Sequence, residues 1–279
     1  MLKRAYVEIT NVCNLSCSFC AGTRRPPRFM SAAEFARIAA RLRGEVEYLY
    51  LHVMGEPLLH PQLHELLRIG GELGFRLCVT TNGTLLDRAG ETLLGAAALH
   101  KVSVSVHSFE GNGGGDMLPY LESVWAFARQ AAARGVIVAL RLWNGGGAET
   151  RNGEVLTFLR EKTGTAQWEE KRRGSFQLGE RLYLEQAEKF DWPDLGAPES
   201  GAEFCLGLRQ QVAVLVDGTV VPCCLDHEGD IALGNLLHEE LGAILQSPRA
   251  RALYDGFSAR QPSEELCRRC GYASRFDRG

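Results

Sequence analysis

Cysteines are the residues of this 279-residue sequence whose number and spacing point most directly to chemistry. Three of the nine follow the first apolar run with the spacing Cys13-x3-Cys17-x2-Cys20. Most of the others lie in the last third of the chain, at Cys205, Cys223, Cys224, Cys267 and Cys270. An odd number of thiols, with no secretory signal at the start of the sequence, argues against a disulfide framework and favours metal binding.

The first cysteine group can hold an iron–sulfur cluster with one reactive position. Four cysteines are the full set of ligands for a [4Fe–4S] cube, and three thiolates leave one iron open. An open coordination position is what permits chemistry at a bound metal. The spacing alone also leaves a zinc site possible, because His52 or His107 could supply a fourth ligand. The sequence therefore predicts a reactive metal centre near residues 13–20.

Alternating strand and helix patterns must position this centre. Ser31 and Glu34 have the spacing of a capping box at the first helix. Five strand–helix repeats predict an α/β fold with a parallel sheet. A complete eight-repeat barrel would need more chain, so we expect a partial (β/α)6 TIM-like barrel. The predicted strands cover residues 6–10, 48–53, 75–80, 102–106 and 136–142.

The sequence divides into two predicted domains. Residues 1–200 would form the barrel, with 163–200 as a charged and irregular connection. Residues 201–279 would form a small iron–sulfur domain with a β-hairpin and helices. An Asp-Gly pair at 217–218 between two β-branched runs is the signal for that hairpin.

Residues 13–20, with the sequence CNLSCSFC, resemble the CxxxCxΦC signature of the radical S-adenosylmethionine (SAM) enzymes. The resemblance implies a [4Fe–4S] cluster held by Cys13, Cys17 and Cys20, with SAM on the open iron. It also implies that Phe19 packs near the adenine. In that family SAM is cleaved to a 5′-deoxyadenosyl radical, which abstracts a hydrogen atom from the substrate.

Further segments resemble SAM-binding motifs of the same family. Residues 54–57, MGEP, are similar to the GGEP motif, and imply that Gly55 and Glu56 bind the SAM amino group. Asn82, in a TNG segment, and Ser105 are implied as further SAM contacts. These residues follow successive predicted strands at their carboxyl ends, where barrel active sites are built.

The second cysteine group resembles the SPASM domain in its shortened "twitch" version, because the sequence holds no cysteine after Cys270. The resemblance implies one auxiliary [4Fe–4S] cluster. Cys224 is the rival of Cys223, and a zinc ribbon is the alternative for the whole group. The implied ligands are Cys205, Cys223, Cys267 and Cys270. Cys78, on a predicted strand, is expected to be a core residue.

Other polar residues carry weaker predictions. His107 is interpreted as a histidine with satisfied hydrogen bonds, and Arg141 could reach the site. Asp226 and His227 stay open as proton acceptors. The arginines at 24–28 are interpreted as a solvent-exposed run of charge.

Composition limits the classes of function. A net charge of −3, 45% hydrophobic residues and no apolar run long enough for a membrane span predict a cytoplasmic protein. The same charge disfavours a nucleic-acid partner. We also expect a monomer that receives electrons from a flavodoxin or ferredoxin.

The resemblance implies an oxidoreductase or maturase that acts on a peptide or protein side chain. The alternative within the same chemistry is dehydrogenation of a small alcohol or aminocyclitol, and RNA modification comes third. A hypothesis from another class is an iron–sulfur electron carrier or a zinc-binding interaction protein. Such a protein would not explain a group of only three cysteines followed by SAM-type segments.

Overall fold

The computed structural model describes residues 2–110, 115–147 and 151–276, and its strands form one mixed sheet. Within these residues the strands are β1 (Arg4–Val7), β2 (Tyr48–Tyr50), β3 (Arg76–Thr81), β4 (Leu99–Ser105), β5 (Ile137–Gly145), β6 (Glu169–Arg172), β7 (Ser175–Gly179), β8 (Leu182–Glu188), β9 (Gln211–Val214), β10 (Thr219–Val221) and β11 (Gly234–Asn235). Their order across the sheet is β11-β10-β9-β1-β2-β3-β4-β5-β8-β7-β6. Strands β1 to β5 and β8 pair in parallel, each with the next. Six parallel strands in this order confirm the predicted α/β partial barrel.

Helices connect the parallel strands, as the repeats predict. The described helices are α1 (Ala32–Leu42), α2 (Leu63–Glu72), α3 (Leu86–Leu94), α4 (Met117–Ala133), α5 (Asn152–Thr163), α6 (Leu241–Leu245), α7 (Pro248–Ser258) and α8 (Glu265–Arg268). At the start of α1 the Ser31 hydroxyl accepts from the Glu34 amide, and the Glu34 carboxylate accepts from the Ser31 amide. The capping box is therefore confirmed, and it fixes where the chain returns to helix after the cysteines.

The segment 163–200 differs from the prediction of an irregular connection. It contains β6, β7 and β8, and β8 supplies the sixth parallel strand beside β5. All of β6 is exposed, so its charged side chains do not show the apolar alternation that identifies a half-buried strand. Residues 189–200 carry no regular element.

The C-terminal hairpin joins the barrel sheet directly. Strands β9 and β10 pair antiparallel, as the Asp-Gly turn predicts. Strand β9 also pairs in parallel with β1, where Arg4 lies beside Gln211. The sheet thus runs without a break from the barrel into the C-terminal segment, and the domain division at residue 200 stays a prediction.

One hydrophobic cluster packs the helices against the sheet and includes the C-terminal helices α6 to α8. Phe35, Leu49 and Leu77 are fully buried in it. Cys78 is buried on β3, in agreement with its predicted core position. None of the helices in the described parts of the chain combines the length and apolar character that a membrane crossing requires.

Candidate active site

A cavity of about 370 Å³ lies at the carboxyl ends of the parallel strands. Six of the residues predicted for the site line it: Cys13, Cys17, Phe19, Cys20, Gly55 and Ser105. Its other walls come from strand ends and from the C-terminal half of the chain, and include His52, Thr80, His107, Arg141, Trp143, Lys189, Phe190, Trp192, Cys224 and Leu225. The cavity is therefore enclosed by the barrel on one side and by the C-terminal segments on the other.

The cysteine loop, residues 11–29, leaves the sheet after β1 and returns to it before α1. Its base is closed by a bridge between Thr10 and Phe29 and by the Met30 amide, which donates to the Ile9 carbonyl at 2.8 Å. The Thr10 hydroxyl donates to the Arg28 carbonyl at 2.9 Å. Because both ends of the loop are hydrogen-bonded, its thiols are carried by a fixed frame at the strand ends.

Backbone amides point at the sulfurs of the cysteine loop. The Leu15 amide donates to Cys13 Sγ at 3.5 Å, and the Gly22 amide donates to Cys20 Sγ at 3.4 Å. The Cys20 amide donates to the Cys17 carbonyl, which closes a turn between these two cysteines. Hydrogen bonds to sulfur favour the thiolate form and tune iron–sulfur clusters. The donor set therefore fits a cluster with three thiolate ligands.

Gly55 lies where the segment after β2 crosses the cysteine loop. Its φ is +75°, and a Cβ atom there would stand 2.5 Å from the Thr10 carbonyl oxygen. The next amide, of Glu56, donates to the Val12 carbonyl at 2.8 Å. Only glycine fits this close backbone crossing, which holds the segment at the rim of the cavity.

Glu56 and Asn82 do not line the cavity; their side chains form hydrogen bonds that connect the segments around it. The Glu56 carboxylate is 1% exposed and accepts hydrogen bonds from Leu58 N, Thr81 Oγ1 and Asn82 N. Asn82 Nδ2 donates to Asn14 Oδ1 at 3.0 Å. These bonds join the ends of β2 and β3 to the cysteine loop, so both side chains are occupied by the protein itself.

Phe19 and His107 form an aromatic pair at the cavity, with ring centroids 4.8 Å apart. The Nδ1 atom of His107 donates to the Arg141 carbonyl at 2.9 Å. Burial lowers the pKa of His107, which keeps the ring neutral at neutral pH. His107 is therefore a hydrogen-bonded histidine, as predicted.

Positive charge lies beneath the cavity. Arg141 Nε donates to the Glu185 carboxylate at 3.1 Å, and Lys101 Nζ lies 3.0 Å from the same group. The Arg141 guanidinium also stacks on the Trp143 ring at 4.4 Å. Arg141 is in register with Ser105 on β4, so the two side chains reach the cavity from neighbouring strands. Arg172 also lies 3.2 Å from Glu185, so three cations share one carboxylate here, which suits an anionic group of a bound molecule.

His52 also lines the cavity, although the sequence suggested it only as a zinc ligand. Its Nδ1 atom is buried and has no hydrogen-bond partner among the described residues. Burial, with a smaller contribution from Arg141, lowers the pKa of His52 to about 3. The rings of Tyr6 and Tyr50 meet it edge-on. His52 is thus a neutral imidazole at neutral pH.

The second cysteine group is assembled beside the cavity. Burial raises the pKa of Cys223 well above its ordinary value, and the nearby thiols Cys205, Cys224, Cys270 and Cys267 add to this effect. The Gly207 amide donates to Cys205 Sγ at 3.4 Å. Crowded, buried thiols ionise readily only when a metal takes the place of their protons. The donor set therefore fits a closed, thiolate-bound cluster.

Cys223 and Cys224 face different surroundings. Cys223 packs with Cys205 and Cys270 in one small cluster of buried side chains. Cys224 packs with Val53 and Met54 in another, and its thiol lines the cavity. This orientation favours Cys223 as the cluster ligand.

We expect Cys223→Ser to lose the auxiliary cluster and Cys224→Ser to keep it. The first variant removes a thiol from the second cysteine group, whereas the second changes a thiol on the cavity side. Iron analysis after anaerobic reconstitution should give about four irons per chain for Cys223→Ser and about eight for Cys224→Ser. The reverse pattern would assign the ligand to Cys224.

Asp226 and His227 are used by their own loop. The Asp226 carboxylate accepts from the amides of Gly229, Asp230 and Ile231, at 2.9 to 3.1 Å. The His227 Nδ1 atom is 3.1 Å from the Leu225 carbonyl, so it donates there. Asp226 therefore shapes the turn after the second cysteine group.

Several cavity residues could not be chosen from the sequence. Lys189, Phe190 and Trp192 lie in the segment that the sequence predicts to be irregular. Their only signal in the sequence is a short aromatic stretch in charged surroundings, which does not show where this stretch lies in the fold.

Over the described residues, no three His, Cys, Asp or Glu side chains converge as one metal ion would require. A [4Fe–4S] cube is a larger group than a single ion.

A partial barrel with a three-thiol loop at its active-site end and a second thiol group beside it defines a class of iron–sulfur enzymes. Residues 7–143 match the radical SAM superfamily, and residues 205–271 match SPASM, an iron-sulfur cluster-binding domain. The chain therefore belongs to the radical SAM superfamily, as a SAM-dependent enzyme with a C-terminal auxiliary-cluster domain. Its cofactors are SAM and [4Fe–4S] clusters, one of them auxiliary.

Curated relatives match part of the chain. A GTP 3′,8-cyclase of Chlorobaculum tepidum is 34% identical over 108 residues, which are 37% of this chain and 32% of that protein. An AdoMet-dependent heme synthase of Methanosarcina barkeri is 31% identical over 102 residues, or 36% of this chain and 29% of that protein. The matched segments thus span about a third of the length of these relatives.

Solved structures resemble the chain over nearly its whole length. BtrN in complex with AdoMet and 2-DOIA has a TM-score of 0.57 and 16% identity, and covers 97% of this chain and 93% of that one. A histidine-tagged form of anSMEcpe with bound AdoMet has a TM-score of 0.64 and 14% identity, over 98% and 87% of the two chains. Streptococcus suis SuiB has a TM-score of 0.63 and 15% identity, over 99% and 74%. At these identities the likeness concerns the fold.

Proposed function

We propose that the enzyme removes a hydrogen atom from a side chain of a peptide or protein, at the cavity above the strand ends. The observation that carries this proposal is a second cleft of about 660 Å³ that shares Thr23 and Trp192 with the cavity. A small substrate needs only the cavity, whereas an extended chain can lie in the cleft and place one side chain inside. SuiB bound to precursor peptide SuiA and anSMEcpe with the Cp18Cys peptide give further support, as similar folds that bind peptides.

The two cysteine groups would hold the two clusters that this reaction requires. Cys13, Cys17 and Cys20 hold the catalytic cluster, and the auxiliary cluster is held by the second group, Cys205, Cys223, Cys267 and Cys270. When bound, the catalytic cluster and SAM supply the 5′-deoxyadenosyl radical that takes the hydrogen atom. An external donor such as a flavodoxin or ferredoxin would provide the electron.

SAM would lie across the strand ends. The backbone at Gly55 and the Ser105 hydroxyl bind its polar groups, and Phe19, supported by the His107 ring, covers the adenine. Arg141, beside Ser105, offers a positive charge to the SAM carboxylate. Glu56 and Asn82 act by holding the loops that carry these contacts, so their contribution to SAM binding is indirect.

The second candidate is dehydrogenation of a small alcohol or aminocyclitol. It is supported by the fold of BtrN, described with 2-DOIA, which covers 97% of this chain and is itself covered to 93%. The cavity alone would hold such a substrate.

Substrate-stimulated SAM cleavage distinguishes the two. We would incubate the reconstituted enzyme with SAM and dithionite, adding in one arm synthetic peptides that each present one Ser, Cys, Tyr or Lys, and in the other 2-DOIA. We expect a peptide to raise 5′-deoxyadenosine formation above the substrate-free rate and to lose two hydrogen atoms from its mass. One hydrogen atom would pass to the 5′-deoxyadenosyl radical, and the second would leave as a proton to solvent while its electron passes to the auxiliary cluster. The same response to 2-DOIA alone would favour the second candidate. Failure of every peptide to respond, with active SAM cleavage, would contradict the proposal.

A further inference from the structure

Glu8 is a carboxylate buried inside the molecule, directly after β1. It is 0% exposed, and it follows the apolar residues of a central strand. A buried carboxylate needs full compensation by hydrogen bonds and opposite charge. Its partners therefore show which segments the fold connects at this point.

The partners of Glu8 come from three other parts of the chain. Arg25, in the cysteine loop, donates from both terminal nitrogens to the two carboxylate oxygens, each at 2.7 Å. The Met54 amide donates to Oε1 at 3.1 Å, and the Val216 amide donates to Oε2 at 2.9 Å. One carboxylate thus joins the cysteine loop, the rim segment before Gly55 and the C-terminal hairpin.

Arg25 extends this connection to the segment that follows the second cysteine group. Its Nε atom donates to the His227 carbonyl at 2.8 Å, and its side chain is only 14% exposed. The sequence predicts that the arginines at 24–28 are exposed to solvent. For Arg25 this prediction is wrong, because its side chain is mostly buried. A carboxylate at the end of the apolar β1 sequence was the signal that a buried cation was needed.

Two further bonds tie the same loop to the C-terminal half. The Arg24 amide donates to the Glu228 carboxylate at 3.0 Å. The Trp192 indole Nε1 donates to the Phe19 carbonyl at 3.2 Å. Residues 19–25 of the cysteine loop are therefore connected by several hydrogen bonds to residues 192–228.

We propose that Glu8 and Arg25 are positioning residues through which the auxiliary-cluster domain fixes the cysteine loop against the barrel. The position of this loop decides how the SAM-binding iron stands relative to Gly55 and Ser105. The ion pair therefore sets the affinity of the catalytic site for SAM, although neither side chain lines the cavity. This inference rests on the SAM site and is independent of the substrate.

Arg25→Lys tests the proposal, with Arg28→Lys as the matched control. Lysine keeps the charge but cannot make the two-pronged contact with Glu8 and the bond to His227 together. Arg28 lies in the same loop and pairs with Glu34, away from the C-terminal half. Measured on holoprotein with equal iron content, we expect Arg25→Lys to raise the dissociation constant for SAM by about tenfold, within the range of known coupling effects. Arg28→Lys should leave it unchanged.

Two other measurements separate positioning from general stability. Arg25→Lys should speed amide hydrogen exchange in residues 19–28 and 226–228 together, and shift the electron paramagnetic resonance spectrum of the reduced catalytic cluster with SAM. Wild-type SAM affinity and spectrum in Arg25→Lys, or an equal effect in Arg28→Lys, would overturn the proposal.

Should Arg25→Lys fail to load iron, Glu228→Ala decides the question. This variant removes the contacts of the Glu228 carboxylate with Thr23 and Arg24 and leaves the buried pair intact. We expect about a threefold weaker SAM affinity, because only part of the connection between the loop and the C-terminal half is lost. No change in SAM affinity would then overturn the proposal.

Discussion

Replacing Cys13, Cys17 and Cys20 together by alanine is expected to abolish SAM cleavage and to leave about four irons per chain, the content of one cube. The three thiols line the cavity, whereas Cys205, Cys223 and Cys270 of the second thiol group pack in a separate cluster. Removing the first set takes away every proposed ligand of the catalytic cluster. The auxiliary cluster should survive, because no residue of its thiol group is changed.

The measurements are iron content and 5′-deoxyadenosine formation under dithionite after anaerobic reconstitution. Cys78→Ala is the matched control, since Cys78 is buried on β3 and belongs to neither group. It should keep both clusters and SAM cleavage. Loss of all iron from the triple variant, or zinc in place of iron in the wild type, would refute the two-cluster assignment.

Gly55→Ala should cause the second large loss. The new Cβ would meet the Thr10 carbonyl at 2.5 Å, in a backbone conformation with φ +75° that side chains disfavour. Because the position of the Cβ is fixed by its own backbone and the atoms that it meets are backbone, the rim segment must move away from the cysteine loop. We expect the free energy of unfolding to fall by about 2–4 kcal/mol. SAM affinity should fall by at least about tenfold, since the site loses its geometry.

Gly74→Ala is the control that separates the effect of the clash with Thr10 from the cost of placing alanine at a positive φ. Gly74 has a φ of +86°, yet a Cβ there would meet nothing within 4 Å. Its substitution should cost only about 1–2 kcal/mol, with normal SAM affinity. Denaturant titration and equilibrium dialysis with SAM measure both quantities. Equal losses of stability and of SAM affinity in the two variants would show that the contact with Thr10 does not cause the losses in Gly55→Ala.

The sequence predicts the barrel half of this structure well, because local patterns there are strong. Strand and helix periods, the capping box at Ser31 and the Asp-Gly turn all act over a few residues, and the structure shows each of them. The cavity residues Cys13, Gly55 and Ser105 were predicted because their segments resemble motifs of the radical SAM enzymes. They lie at or after the carboxyl ends of β1, β2 and β4, which meet at one edge of a parallel sheet.

What the sequence could not show depends on contacts between distant residues. Glu56 stands in a recognisable motif, yet its carboxylate faces Thr81 and Asn82 behind the wall. Trp192 reaches the cavity from a segment without periodicity, and Arg25 finds Glu8 only in the folded chain. Such pairings are set by tertiary packing, which no local pattern encodes.

The parallel pairing of β1 with β9 has a consequence for how the chain is made. Arg4 and its neighbour Gln211 are more than two hundred residues apart, so a ribosome adding about 5–20 residues per second needs about 10–40 s to supply the partner. Until then one edge of β1 stays unpaired, and unpaired edges invite association with other chains. The strand that carries the cysteine loop is therefore synthesised early but completed late. A nascent chain would gain a finished frame for its first cluster only after the C-terminal hairpin has emerged.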